Sequence, residues 1–129
     1  MKENTITLSK NNMDILMKFG LDISDASLIY MNKNQYNVNN HEDYCEQLIK
    51  CKLGYYTYTL QDIYRRIEDL TMGTEYYMVI DSYSVKLENM SDDYIVHSEE
   101  TDDTENKLLV AFNMLIWMLK NILGRKIKE

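Results

Sequence analysis

Hydrophobic side chains recur at helical spacing between Thr59 and Gly73. They fall three or four residues apart, with polar positions on the opposite side. The apolar positions are Leu60, Ile63, Tyr64, Ile67 and Leu70. Thr59 and Asp62 have the spacing of a capping box, in which each side chain accepts a hydrogen bond from the other residue's backbone N–H. The pattern predicts a helix that begins at Thr59.

A second helical segment, from about Asp103 to Leu123, is apolar on nearly all sides. One stripe consists of Leu108, Phe112, Leu115, Leu119 and Ile122, and other large apolar residues flank it. Gly124 can end the helix in the left-handed conformation. Because a helix of this kind is buried on nearly all sides, we expect one face to pack on a sheet. Another face would then meet a second helix or a second copy of the chain.

After Gly73 the spacing of the apolar positions changes from helical to alternating. Tyr76–Ile80 is a continuous β-prone run, and Tyr83, Val85 and Leu87 alternate with polar residues. A third run follows at residues 93–98. Since the links between these runs are short and polar, the segment predicts a three-stranded antiparallel meander.

The first half of the chain gives weaker signals. Ser9 and Gly20 are placed to cap the two ends of a short helix. Residues 27–31 and 55–58 are β-prone, and residues 41–52 have a helical pattern. Residues 32–40 contain five asparagines and predict a surface loop.

These elements predict one α+β domain over residues 1–129. A three-stranded antiparallel meander, with residues 27–31 as a candidate fourth strand, is packed by the long C-terminal helix. Two or three shorter helices precede the meander. A meander with one apolar face must bury it, and the last helix is the best cover.

Composition narrows the function classes. The chain has 21 acidic and 14 basic residues, for a net charge of −7, which argues against nucleic acid as a partner. Tyr55, Tyr56 and Tyr58 ahead of Arg65 and Arg66 could stack bases, but the net charge opposes that reading.

The sequence also favours a cytoplasmic protein without a membrane segment. The first residues lack the apolar run of a secretory signal. The most apolar stretch, Leu108–Leu119, is shorter than the roughly 20 residues of a spanning helix. Cys45 and Cys51 are expected to be free, partly buried thiols, as is usual in a reducing compartment.

The chain carries no recognisable catalytic motif. Its four glycines are placed at helix ends or turns, so no phosphate-binding loop is predicted. His41 and His97 are the only histidines. Both have acidic neighbours in the sequence, but no spacing marks a hydrolytic triad. Solvated or hydrogen-bonded histidines are the more frequent interpretation, and no cofactor is predicted.

Acidic residues are concentrated between Asp81 and Glu105, where nine acids accompany only Lys86. The candidate acidic face consists of Asp92, Asp93, Glu99, Glu100, Asp102 and Asp103. Three interpretations stay open: solvated hairpin loops, a face for a basic protein partner with nucleic-acid mimicry as its extreme form, and divalent-metal binding. The metal interpretation is the weakest of the three, because the segment lacks the spacing and the glycine of an EF-hand, and no metal ligand is assigned.

The last helix is a candidate interface. Phe112, Met114, Trp117 and Met118 are residue types enriched at interfaces or on adaptable surfaces. The same residues would equally suit the core of a single chain. Self-association and an unknown protein partner are the alternatives to that core role.

Three segments carry a resemblance. They are Leu-Asp-Ile-Ser-Asp-Ala-Ser at residues 21–27, Thr-Leu-Gln-Asp-Ile at 59–63, and Leu-Leu-Val-Ala-Phe-Asn-Met-Leu-Ile-Trp at 108–117. In this order they resemble small uncharacterised proteins encoded on prophages and mobile elements of gut bacteria. The resemblance implies a cytoplasmic accessory protein that acts on a host protein, and it carries no catalytic residues.

The sequence therefore predicts a non-enzymatic interaction module, for which a homodimer is one available form. The first alternative is a small enzyme whose site is built from scattered residues around His97 or His41. The second is an acidic mimic of nucleic acid that acts on a host DNA-binding protein.

Overall fold

The structure is a computed structural model that describes residues 7–23, 25–31, 34–38, 42–92, 94–102 and 107–123. It divides into two compact units, Met1–Asp62 and Ile63–Glu129. That the whole chain forms one domain stays a prediction of the sequence. For residues 42–45, 122 and 123 the structure describes the helical backbone only and not the side chains.

Elements α1 to α3 and β1 to β3 belong to the first half of the chain. In order they are α1 (Lys10–Lys18), β1 (Leu28–Met31), β2 (Asn34–Asn37), α2 (Glu42–Lys50), β3 (Tyr55–Thr57) and α3 (Leu60–Thr71). The second half contains β4 (Tyr76–Ile80), β5 (Ser84–Asn89), β6 (Ile95–Glu100), α4 (Lys107–Met118) and a π-helical turn, Leu119–Leu123.

The sheet of the first unit differs from the sequence prediction. Its antiparallel order is β2-β1-β3, with Ile29 opposite both Tyr36 and Tyr56. Residues 28–31 are therefore a strand, but they do not extend the meander. The predicted surface loop at 32–40 contains β2, because Tyr36 and Val38 pack with Ile29 in a small core.

Helix α1 confirms both predicted caps. The Ser9 side chain accepts a hydrogen bond from the backbone N–H of Asn12 at 3.2 Å. At the other end Gly20 has φ 84°, and its N–H donates to the carbonyl of Met17 at 2.9 Å. The N–H of Leu21 donates to the carbonyl of Leu16, which completes a Schellman motif.

Helix α2 ends in the same motif without a glycine. The N–H of Leu53 donates to the carbonyl of Leu48 at 2.9 Å, and the N–H of Lys52 donates to the carbonyl of Ile49 at 3.1 Å. Lys52 itself is left-handed, with φ 60°. Cys51 beside it is exposed, so the expectation of a partly buried thiol was wrong there. His41 and the side chain of Cys45 fall outside the described part.

The start of α3 confirms the capping box. The N–H of Thr59 donates to Asp62 Oδ2 at 3.0 Å, and the N–H of Asp62 donates to Thr59 Oγ1 at 3.2 Å. Asp62 is buried, with 1% of its surface exposed. It also accepts from the N–H and the hydroxyl of Ser27. One carboxylate therefore joins the approach to β1 to the first turn of α3.

The second unit contains the predicted antiparallel meander, in the order β4-β5-β6. Leu87 lies opposite Met78 on one side and His97 on the other. Helix α4 contacts β5 and β6. The α+β class, with a C-terminal helix on an antiparallel sheet, is thus confirmed.

Strand β6 contains a bulge. Leu87 pairs with His97 while the next residue, Glu88, pairs with Ile95, so Val96 is extra in the ladder. His97 therefore shares the face of Leu87, which is the face towards α4, and Ile95 shares the face of Glu88.

Helix α4 is largely buried, as its composition predicts. Its described buried residues are Val110, Ala111, Phe112, Met114, Leu115 and Met118. The predicted helix was longer, but residues 103–106 and Gly124 lie outside the description. Within the described ranges, no helix has both the length and the apolar character that crossing a bilayer requires.

Candidate functional site

The turn between β4 and β5 is organised by the side chain of Asp81. Its Oδ1 accepts from the N–H of Tyr83 at 2.8 Å, and its Oδ2 accepts from the hydroxyl of Ser84 at 2.8 Å. The N–H of Asp81 donates to the carbonyl of Ser84 at 3.1 Å. Aspartate is favoured in such turns because its short side chain can bond to the backbone two residues on.

These hydrogen bonds lower the pKa of Asp81 below its ordinary value. The N–H of Tyr83 is the main cause, and the hydroxyl of Ser84 is the next. The ammonium of Lys86, 4.0 Å from Oδ2, favours the charged form as well. Asp81 is therefore a carboxylate throughout the physiological pH range.

The end of β6 brings further acids to this turn. Ser84 lies opposite Glu100, and the N–H of Thr101 donates to the carbonyl of Tyr83 at 2.8 Å. A cavity of about 680 Å³ opens here, and its charged lining residues are Asp81, Lys86, Glu100 and Asp102. We call it the acidic cavity. Its three acids outnumber its one lysine, so it is suited to a cationic group.

The acids of the predicted face do not share one surface. Asp92 lies in the β5–β6 turn, where its Oδ1 accepts from the N–H of Tyr94 at 3.1 Å. The length of β6, roughly 20 Å, separates it from Glu100 and Asp102. Glu99 lies on the opposite face of the strand from Glu100. Asp93 and Asp103 are outside the described residues.

Asp81 is the residue that the predicted acidic face omitted. It belongs to the same acid-rich window, but 19 positions separate it from Glu100 in the chain. Only the pairing of β5 with both neighbouring strands brings the two together. The signal available in the sequence was the Asp-Ser-Tyr-Ser turn between two β-prone runs.

His97 lies in a cluster on the other face of β6. Its ring stacks on Trp117 of α4, with centroids 4.2 Å apart, and its Nε2 lies 2.9 Å from Glu99 Oε1. The side chains of His97 and Glu99 are partly buried. His97 does not line the acidic cavity. The histidine therefore has a stacking partner and a hydrogen-bond partner.

The candidate interface residues of the last helix are mostly inside the protein. Phe112, Met114 and Met118 are buried, so these three side chains are not available at the surface. Trp117 is half-buried against His97, and its carbonyl accepts from Asn121 Nδ2 at 2.8 Å.

Large apolar residues are exposed elsewhere in the second unit. Tyr94 and Met90, in the β5–β6 turn, are 68% and 59% exposed, and Ile95 and Leu109 are also exposed. Sequence reasoning passed over the turn because it is otherwise polar. Two large apolar residues within a short polar turn were the signal that could have found it.

In the part of the chain that the structure covers, no group of three or more histidine, cysteine or acidic side chains is arranged to hold a metal ion. Comparisons with protein-family models, curated proteins and solved structures found no match. The function is therefore inferred from the geometry of the chain itself.

Proposed function

We propose that the protein is a non-enzymatic interaction module that binds a basic segment of a partner protein at the acidic cavity. The observation that supports this most is the convergence of Asp81, Glu100 and Asp102 on one cavity. Asp81 lies in the β4–β5 turn, Glu100 ends β6 and Asp102 follows it, so the pairing of the three strands holds these carboxylates near one another.

The cavity has the chemistry to bind guanidinium or ammonium groups. Carboxylates accept paired hydrogen bonds from arginine, whose planar fork matches their geometry. Tyr83 lines the cavity and is 53% exposed, so its ring can contact a bound cation through its face. Asp81 contributes a full negative charge at physiological pH, and its lowered pKa keeps that charge in mildly acidic solution as well.

The expected affinity is modest and depends on salt. Each solvent-exposed ion pair contributes about 0.2–1 kcal/mol, and counter-ions screen it. Binding therefore needs several contacts at once, which a segment with two or more basic residues can supply. Complementary charge would also accelerate the encounter and disfavour acidic partners.

Only the resemblance noted above bears on the kind of partner. It predicts that the protein, as the product of a mobile element, acts on a protein of its host. A host protein with a basic binding surface would fit the proposal, and a nucleic-acid-binding protein has such a surface. Self-association also stays a prediction.

The test uses a fluorescent hexa-arginine peptide and the full chain, with binding followed by anisotropy. We expect binding at low salt that weakens strongly at 0.5 M salt. The Glu100→Gln variant should weaken binding several-fold. Asp92→Asn, which removes one acid at the far end of β6, is the matched control and should change it little.

Equal losses in Glu100→Gln and Asp92→Asn would show that the peptide senses only net charge, and the cavity proposal would then fail. Binding that does not respond to salt would also contradict it.

An enzyme is the second candidate, favoured by the contact between His97 Nε2 and Glu99 Oε1. A base oriented by a carboxylate is one part of a hydrolytic site. If His97 acts in this way, hydrolysis of an activated ester should fall strongly in His97→Asn, with the fold retained. Hydrolysis equal to that of free imidazole in both proteins would reject the candidate.

A further inference from the structure

The first unit has a cleft of a different character from the acidic cavity. It has a volume of about 610 Å³, within the range of small-molecule pockets. Its apolar wall is formed mainly by Met17, Leu21, Ile23, Ile49, Tyr55 and Tyr56. We call it the tyrosine cleft. The last turns of α1 and α2, the residues that follow α1 and the first residues of β3 form this wall.

Tyr55 gives the cleft a firm aromatic surface. Its ring lies against that of Tyr30, with centroids 5.3 Å apart and planes inclined by 36°. Burial raises the pKa of the Tyr55 phenol, and the neighbouring Tyr30 raises it further. The wall therefore stays uncharged at physiological pH.

The charged residues at the cleft differ in whether they already have a partner within the protein. Lys10 Nζ lies 3.4 Å from Asp14 Oδ2, and Asp22 has a partner as well. Within the ranges covered by the structure, Lys52 makes no ion pair. Its ammonium is therefore the charge most available to a ligand in the cleft.

The conformation of Lys52 sets it apart further. Gly20 and Lys52 occupy the same position in two Schellman motifs, and both have left-handed backbones. Glycine adopts this conformation without strain, whereas a lysine does so at a cost. The chain thus places a cation at the cleft where the local fold favours glycine.

We propose that the tyrosine cleft binds a small amphipathic anion, whose apolar or aromatic body lies on the wall and whose carboxylate pairs with Lys52. The apolar wall accounts for the body of the ligand, and the available ammonium accounts for its charge. This site is independent of the acidic cavity and of the basic partner proposed for it.

The test titrates the ¹⁵N-labelled full chain with three matched probes: 2-naphthoate, 2-naphthalenemethanol and 2-naphthylmethylamine. They share the aromatic body and differ in charge. We expect naphthoate to bind about two- to fivefold more tightly than the alcohol, which is the size of an exposed ion pair. The amide signals that move should be those of Lys52, Gly54 and Tyr55.

Two variants separate the role of the Lys52 charge from that of the apolar wall, and a third is the control. Lys52→Gly should abolish the preference for naphthoate over the alcohol and leave alcohol binding intact, while the cap becomes more stable. Lys50→Gln removes a neighbouring exposed lysine and should preserve the preference. Met17→Gln should weaken naphthoate and the alcohol alike.

The proposal is overturned if none of the probes binds at millimolar concentration, or if the amine binds as tightly as naphthoate. It is also overturned if Lys52→Gly retains the preference, or if the shifted signals lie away from the cleft.

Discussion

The imidazole of His97 lies flat against the indole of Trp117, with ring centroids 4.2 Å apart and planes inclined by 8°. The contact joins the middle of β6 to the C-terminal part of α4. Trp117 is the only tryptophan of the chain, so tryptophan fluorescence reports on the surroundings of this contact.

His97→Ala should destabilise the protein by about 1 kcal/mol, since stacked aromatic pairs contribute about 0.5–1.5 kcal/mol beyond their buried area. Trp117 emission should move to longer wavelength because its ring gains contact with water. Ser98→Ala, on the opposite face of the strand, is the control. An unchanged emission spectrum in His97→Ala would mean that the two rings do not stack in solution.

Asp62→Ala should be among the most destabilising changes of a single polar residue in the described part. It removes the carboxylate half of the capping box and leaves the donors of Ser27 and Thr59 without their acceptor, for a loss of about 2–4 kcal/mol in urea unfolding. Thr59→Ala removes only the cap and should cost about 1 kcal/mol. Exposed Asp69 on the same helix serves as the control, and an Asp69→Ala effect as large as that of Asp62→Ala would contradict the argument.

Lys52→Gly should raise the free energy of unfolding by about 1 kcal/mol, because glycine relieves the left-handed strain at φ 60°. The reciprocal change, Gly20→Ala, should lower it by a similar amount. A Cβ at Gly20 would meet no atom within 4 Å, so that loss would come from the backbone and not from a clash. Thermal unfolding of both variants tests these two expectations. If the unfolding temperature shifts in the same direction in both, the argument from backbone strain is refuted.

Asp81 should make stability depend on pH in the acidic range. Its pKa is lowered in the folded protein, so its contribution is fully present above the ordinary value of about 3.9. That contribution is lost as pH falls through the lower folded value. Carboxyl NMR titration should give Asp81 a midpoint below the ordinary value of an aspartate. In Asp81→Asn the free energy of unfolding should fall less between pH 4 and 2 than in the unchanged protein. If the two proteins lose the same amount over this range, the turn does not hold the carboxylate.

The features that the sequence predicted correctly depend on near neighbours. The capping box of Thr59 and Asp62 spans three residues, and the change from helical to alternating spacing after Gly73 is visible within a few residues. Local propensity and pattern are enough to place such elements.

The features that the sequence did not predict depend on pairing between residues that are far apart in the chain. Strand β2 is rich in asparagine and has little strand propensity, but pairing with β1 and the burial of Val38 stabilise it. The acidic cavity requires Asp81 and Glu100 to meet through the register of three strands. No local pattern encodes that register, since it is set by packing across the whole sheet.

Because of the bulge at Val96, the number of residues in β6 can change without changing which residues of β5 and β6 pair. Because that residue is extra, a chain lacking it would form a regular ladder that still sets His97 opposite Leu87. The imidazole therefore faces α4 whether or not this one residue is present. Evolution could lengthen or shorten the chain by one at this point, and the two rings would still meet.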